Sequence, residues 1–261
     1  VKAVPAWFRA GYRKKSTCER CGFKAKYLDK QMSVYHMDGN LRNVATINLD
    51  NTSSNVLYGN GVFARAPVTY GNSNVAIGCA ALYYNLGHNN TALGYQAGYS
   101  NTGDFNTFIG RVAGYSNSTS NSITAIGNQA LQNTTGAGNT AVGDSAGTLI
   151  STGIYNSVLG VLALYNNTTG TGNTAFGIVS LNKNTTGNNN TATNFALYYN
   201  TTGSNNTAYG YQSLLNNTTA SNNTAVGYQA GYANTTGTRN SALGYQSLYN
   251  NTTGVDNAAF G

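Results

Sequence analysis

The chain has 261 residues, of which 8% are charged and 40% hydrophobic, with 32 glycines and two prolines. An average soluble domain is about 25% charged, so uncharged Asn, Thr, Ser and Gly provide most of the polar groups here. No run of 18 apolar residues occurs, so we expect no membrane span. Three cysteines are an odd number, which argues against a disulfide framework.

The net charge of +7 belongs almost entirely to one end of the chain. Residues 1–50 contain ten Lys or Arg and four acidic residues, whereas the other 211 residues contain four and three. This division predicts a small basic segment that does not repeat, followed by a near-neutral body. The chain lacks an initiator Met and stops partway through a repeat, so we expect it to be a fragment of a longer protein.

The basic segment carries half of a metal-binding pattern. Cys18 and Cys21 have the spacing of a zinc knuckle, and two thiolates are half of a tetrahedral zinc site. Cys18, Cys21 and His36 are therefore candidate zinc ligands, and we expect no other cofactor. Neither Cys79 nor His88 is a convincing fourth ligand.

These residues, with the run Tyr35-His36-Met37-Asp38-Gly39-Asn40, resemble the first part of a phage zinc protein of the His-Asn-His endonuclease type. The resemblance implies that His36 would be a general base. The family's second Cys-x-x-Cys and closing His are missing, so we do not expect nuclease activity. The basic run near Trp7 could contact nucleic acid, but a solvated face or a docking segment for an acidic partner is the preferred interpretation.

Residues 51–71 are predicted to form a linker or a degenerate first coil, and a repeat of 16 to 17 residues occupies residues 72–261. The phrase Asn-Thr-Ala-x-Gly recurs through this region with close variants. We call its glycines the turn glycines. They are Gly78, Gly94, Gly110, Gly127, Gly143, Gly160, Gly177, Gly210, Gly227, Gly244 and Gly261. One coil lacks a residue, and its turn position falls on Thr193 or Asn194. The preceding phrase favours Asn194, and Asn tolerates a positive φ. The register of the following coils favours Thr193, so the sequence does not place the gap.

Each position of the repeat keeps one type of residue. An apolar residue precedes the turn glycine, Ala stands two residues before it, and Asn stands four residues before it in eleven of twelve coils. Three residues after the glycine the side chain is small, and the next position is Leu or Gly. Most coils close with an Asn-Thr-Thr-Gly turn, as at residues 133–136.

A unit of this length is too short for a pair of helices and fits one coil of a β-solenoid. We therefore predict an all-β parallel β-solenoid, or β-roll, of about 12 coils, each with two strands of about five residues. Stacked coils place like residues about 4.8 Å apart, which predicts hydrogen-bonded ladders of Asn side chains. Apolar residues on both faces of the strand predict that the second face is covered by copies of the same chain. The alternative is a neutral face that stays exposed, since an exposed Ala costs little.

The phrases Asn74-Val75-Ala76-Ile77-Gly78 and Asn240-Ser241-Ala242-Leu243-Gly244 resemble the head repeats of trimeric autotransporter adhesins and of phage tail fibres. The resemblance covers roughly residues 72–261. It implies a left-handed parallel β-roll, a homotrimer and a role in attachment. The chain departs from the family by placing Thr where the family has an inward Val, and by having a slightly longer repeat.

A stripe of Tyr and Gln follows the turn glycines and is the candidate surface for contacts with sugars. If it faces outward it suits stacking on sugars, and if it faces inward it only fills space. Its members are Tyr95, Tyr211, Tyr228, Tyr245, Gln96, Gln212, Gln229 and Gln246.

Few carboxylates and no catalytic motif occur in the repeats, so we expect no enzyme. The expected function is that of a structural and adhesive fibre segment of a phage tail fibre or similar appendage, on a virion or an extracellular surface. Its partners would be copies of itself and a glycan or protein receptor. The alternatives are a self-polymerising extracellular filament, and an ice-binding solenoid. Ice binding is disfavoured because we expect no Thr-x-Thr pair on one strand.

Overall fold

A computed structural model describes residues 55–59, 62 and 71–261, together with the backbone of two short strands in the basic segment. These two strands, β1 (Tyr35–His36) and β2 (Val44–Ala45), pair antiparallel. Thirteen further strands form one parallel sheet in which each strand pairs only with the strands before and after it in the chain. They are β3 (Val56–Tyr58), β4 (Val75–Ile77), β5 (Thr91–Leu93), β6 (Thr107–Ile109), β7 (Thr124–Ile126), β8 (Thr140–Val142), β9 (Ser157–Leu159), β10 (Thr174–Phe176), β11 (Thr191–Thr193), β12 (Thr207–Tyr209), β13 (Thr224–Val226), β14 (Ser241–Leu243) and β15 (Ala258–Phe260).

The sheet confirms the predicted parallel β-solenoid. Equivalent repeat positions pair across neighbouring strands, as in Thr174 with Thr191 and Ala175 with Ala192. The rings of Tyr83 and Tyr99, one coil apart, stack at 4.9 Å, which matches the expected spacing of about 4.8 Å between strands. Twelve such intervals make a rod about 58 Å long from β3 to β15.

Each coil has one strand of three residues, so the predicted second strand of about five residues was wrong. The segment after the turn glycine contains two residues with a left-handed backbone, such as Gln212 and Leu214 with φ of 58° and 47°. A third, such as Asn205, precedes the strand. Alternating left-handed residues curl the chain back on itself, and this curling closes a coil within 16 or 17 residues instead of extending it.

The strand turns its middle residue inward and its two flanking residues outward. In β8, Ala141 is buried, Thr140 is exposed and Val142 is partly exposed. The preceding Asn139 is fully buried, and because neighbouring side chains of a strand alternate, its inward position places Thr140 outward. The position that the adhesin family fills with an inward Val therefore faces solvent here.

The core lies between the strand and the segment that follows the turn glycine. Leu side chains four residues after the glycine are buried in a backbone with φ near 50°, for example Leu131 and Leu181. This conformation costs a non-glycine residue about 1–2 kcal/mol, which burial of a Leu side chain offsets. The position therefore accepts Leu, which fills the core, or Gly, which adopts the backbone without strain.

Where Gly replaces Leu at Gly98, Gly114 and Gly147, a larger neighbour fills the space. The ring of Phe108, at a position that is Ala in most coils, lies against both Gly98 and Gly114, and a Cβ on Gly98 would lie 2.5 Å from it. Ile150 fills the corresponding space beside Gly147. The core thus keeps its packing density although no single column is uniform.

The structure shows how the two irregular parts of the repeat, residues 55–59 and the coil at Asn194, join the solenoid. Strand β3 pairs in register with β4, so residues 55–59 form a rung of the solenoid even though they stand 19 residues before their counterparts. In the short coil, the Asn194 amide N–H donates to the Phe176 carbonyl, as a turn glycine would, so the missing residue follows Asn194.

Two expectations about the short coil and the strands were wrong. Neither Thr193 nor Asn194 has a positive φ, because a turn with one residue fewer takes a tighter path. In addition, β11 carries a Thr-x-Thr pair, Thr191 and Thr193, although in the part of the chain that the structure describes no other strand does.

The turn glycines meet two constraints at once. Their φ values lie between 106° and 139°, which side chains rarely adopt. A Cβ on Gly160 would also lie only 2.5 Å from the carbonyl oxygen of Gly177 in the next coil.

Replacing Gly160 by Ala is therefore expected to lower the free energy of unfolding by about 2–3 kcal/mol, measured by urea denaturation. Gly172 provides the control, because its φ of 70° lies near that of Asn189, Asn205 and Asn222, its counterparts in later coils. A Cβ there would approach only Asn189 Oδ1, at 2.5 Å, which is the end of an exposed side chain that can turn away. Gly172→Asn is expected to change the free energy by less than about 0.5 kcal/mol. Equal losses in the two variants would contradict the assignment.

The predicted Asn ladder is present and fully buried over most of its length. At Asn206, Oδ1 accepts the backbone N–H of Asn223 at 3.0 Å, and Nδ2 donates to the Ala220 carbonyl at 2.8 Å. The same bonds recur from coil to coil. Each side chain thus joins its own coil to the next at two backbone points, and we call this column the inner Asn ladder.

A second Asn ladder, which the sequence did not indicate as a separate column, lies beside the inner Asn ladder, and both donate to the same turn carbonyls, as Asn190 and Asn200 do to Gly203. Asn200 Nδ2 donates to Asn184 Oδ1 at 2.7 Å and to the Gly203 carbonyl at 2.9 Å. Thr134 and Ile150 interrupt this ladder. Next to the interruption, the buried Oδ1 of Asn117 has no hydrogen-bond partner.

Replacing Asn206 by Ala is expected to lower the free energy of unfolding by about 1–3 kcal/mol, because it leaves the buried N–H of Asn223 without a partner and removes one of the two donors to the Ala220 carbonyl. The measurement is again urea denaturation. Asn250→Ala is the matched control, since Asn250 is exposed and makes no side-chain hydrogen bond with any described residue. If both variants lose the same free energy, the ladder does not stabilise the fold.

Candidate functional site

The outer face of the sheet, which we call the strand face, carries an apolar column that only Thr193 interrupts between β4 and β15. This column is formed by the residue before each turn position, and in β10 and β12 its members Phe176 and Tyr209 are 54% and 62% exposed. Its apolar members are Ile77, Leu93, Ile109, Ile126, Val142, Leu159, Phe176, Tyr209, Val226, Leu243 and Phe260. The parallel column two residues earlier is mostly Thr or Ser. From β4 to β15 neither column contains a charged residue, so the strand face is a long, neutral and partly apolar surface.

The Tyr stripe faces outward. Tyr95, Tyr211, Tyr228 and Tyr245 are between 43% and 67% exposed. The rings of Tyr228 and Tyr245 stack at 5.3 Å with planes 9° apart, and those of Tyr211 and Tyr228 stack at 6.0 Å. Ring faces within this run cover one another and leave no room for a sugar ring between them. The hydroxyl-bearing edges are what the run presents to solvent.

The accompanying Gln residues form a ladder of their own. Gln229 Nε2 donates to Gln212 Oε1 at 2.8 Å, and Gln246 Nε2 donates to Gln229 Oε1 at 3.0 Å. These amides are therefore held in one orientation along three coils. Gln96 is not part of this run, because the neighbouring coils carry Ala80 and Val112 at its position. Tyr95 is isolated in the same way, between Cys79 and Arg111.

A groove along the rod was not singled out by the sequence. It has a volume of about 880 Å³ and is lined by residues of six successive coils, including Lys183, Tyr199 and a row of threonines. A column of Thr in turn positions looked like turn chemistry alone. The sequence feature that could have indicated the groove is the isolated Lys183, the only charged residue between Asp144 and Arg239.

The candidate zinc ligands are not brought together by anything that the structure describes. Cys18 and Cys21 lie outside the described residues, and for His36 only the backbone of β1 is described. Within the described part of the chain, no group of three His, Cys, Asp or Glu residues could hold a metal ion. Cys79 is exposed, and His88 Nδ1 accepts the backbone N–H of Asn72 at 2.9 Å.

Among the described residues, no helix is both long and apolar enough to cross a membrane. No protein-family model, curated protein or solved structure matches the chain. The surfaces above are therefore interpreted from their own chemistry.

The stacked Tyr run is expected to contribute to stability as well as to the surface. Tyr228 has a stacked ring on both sides, so Tyr228→Ala should lower the free energy of unfolding by about 1–2 kcal/mol more than Tyr95→Ala does. Tyr95 is a matched control because its exposure is similar and it has no aromatic partner among the described residues. Equal losses in urea denaturation would show that stacking contributes nothing.

Proposed function

We propose that the chain is a structural and adhesive segment of a fibre, in a phage tail fibre or a similar attachment appendage on a virion or extracellular surface. In this proposal its role is mechanical and it does not catalyse a reaction. A rod of identical coils joined by buried ladders is suited to extending and bearing load along its axis, because each coil contacts only its neighbours.

The observation that carries the proposal is the uncharged apolar column on the strand face. Side chains such as Phe176 and Leu159 stand in line along the rod, and none of the residues that the structure describes covers them. An exposed apolar surface of this continuity is typical of a protein–protein interface. Copies of the same chain match it in length and in spacing from coil to coil.

The size of the strand face is compatible with a stable association. Its length of about 58 Å and a width of three residues, about 10 Å, give an area near 600 Å² on each partner. A contact between two such faces would bury about 1,200 Å² in total, which lies at the lower limit of stable interfaces. Association as a homotrimer buries such a face on all three chains, and a lateral polymer is the alternative arrangement.

The test is the mass of the full chain in solution, by sedimentation equilibrium. We expect three times the chain mass of 27.3 kDa for a trimer. Replacing Leu93, Leu159 and Leu243 together by Lys is expected to yield a monomer with an unchanged far-ultraviolet circular dichroism spectrum, because lysines on the strand face would need to be desolvated.

The matched control places three lysines at exposed turn positions, Thr152, Thr186 and Thr236, and should leave the mass unchanged. A monomeric wild-type chain would overturn association through the strand face. Much larger and indefinite masses would instead favour the lateral polymer.

A further inference from the structure

The groove beside the turn threonines has the features of a binding site for an extended ligand. It follows the rod from Leu149 to Thr235, over five intervals of about 4.8 Å, and so is about 24 Å long. Its volume of about 880 Å³ is in the range of ligand sites. A long open groove of this kind fits a linear polymer better than a compact molecule.

One wall of the groove presents hydrogen-bond acceptors. The Thr201 hydroxyl donates to the Thr218 carbonyl at 3.0 Å, and Thr185 and Thr218 donate in the same way to the next coil. Since each hydroxyl proton is used within the rod, the oxygen offers its remaining lone pairs to the groove. The wall is therefore a regular row of acceptors and methyl groups.

The other wall has a similar character and adds one positive charge. Asn166 and Asn216 donate their Nδ2 atoms to backbone carbonyls at 2.9 and 3.1 Å. Lys183 lies midway along the groove, with Nζ 5.9 Å from the centre of the Tyr198 ring. Within the described part of the chain no carboxylate pairs with Lys183, so its charge is not neutralised by the protein.

These features distinguish between classes of polymer. A peptide added as a strand needs free backbone groups, whereas the backbone along this groove is bonded from coil to coil. A nucleic acid has a phosphate at every residue and needs several cations, whereas the groove has one. Sugar hydroxyls are donors that suit the Thr wall, and a carboxylate or sulfate suits Lys183.

We propose that this groove binds a linear acidic glycan, with its chain parallel to the rod and one anionic group at Lys183. This assignment rests on the proposed adhesive function and names the class of receptor. Tyr199, 47% exposed at the same groove, offers a ring to a neighbouring sugar. The bound segment would be short and carry few charges, because a single cation serves the whole groove.

The test uses the full chain with three acidic hexasaccharides that have only one carboxylate per disaccharide, from hyaluronan, unsulfated chondroitin and N-acetylheparosan, and with the neutral hexasaccharide of N-acetylglucosamine. At least one acidic probe is expected to slow acetylation of Lys183, followed by mass spectrometry, at least fivefold, whereas the neutral probe should not. This readout reports on the groove itself and is independent of the basic residues 1–50. Failure of all three acidic probes, or equal protection by the neutral one, would overturn the proposal.

Calorimetry then measures the affinity of matched variants for the acidic probe that protects Lys183 most. Lys183→Gln should weaken binding about tenfold, Lys183→Arg should retain it, and Arg111→Gln, which removes an exposed charge outside the groove, should leave it unchanged. Equal affinity in Lys183→Gln and the wild type would overturn the role of Lys183. The mass measurement on the same samples separates the two proposals. If the chain associates but binds no acidic glycan, the fibre proposal stands and the glycan site in the groove is wrong.

Discussion

The structure depends on the hydrogen bonding of each coil to the next through buried side-chain amides. A coil of 16 or 17 residues has room for only a thin core, although backbone bonds join it to its neighbours both in the strand and along the turns. The inner Asn ladder adds two bonds to the backbone at every step except at Ile123, and the second Asn ladder beside it provides a second donor to the same turn carbonyls. Because a buried polar group without a partner is costly, each amide also holds the register of its coil.

The stacking of equivalent residues from coil to coil explains why the repeats contain so few charged residues. A side chain in a solenoid has its own kind about 4.8 Å away, where two equal charges would repel each other. The few charges in the repeats follow this constraint. Arg239 stands next to Asp256, with Nε 2.6 Å from the carboxylate, and this bond lowers the pKa of Asp256. Asn128 separates Arg111 from Asp144. Low charge in the rod is thus a consequence of its architecture.

The same constraint shapes the surfaces that are left for function. Columns that cannot use charge carry apolar, hydroxyl, aromatic or amide groups, and the hydroxyl, aromatic and amide groups interact first within their own columns. The Tyr rings cover each other, the Gln amides bond to each other, and the Thr hydroxyls bond to the next coil. The apolar column is different, since a Leu or Phe gains little from its neighbours in line and remains exposed. Lys183 is different too, because it has no partner in its column.

The sequence by itself determined the period, the parallel in-register stacking and the inner Asn ladder, because each of these depends only on which residue recurs at which spacing. It could not determine how the coil closes. Leucines such as Leu214 adopt a left-handed backbone because their burial outweighs the local cost, and local propensity alone gives no sign of this. The closure in turn decides which columns face outward, so the exposure of Phe176, the mutual covering of the Tyr rings and the groove at Lys183 were decided only by the tertiary structure. A one-dimensional repeat specifies what stacks on what, whereas the direction in which each column points depends on the path of the whole coil.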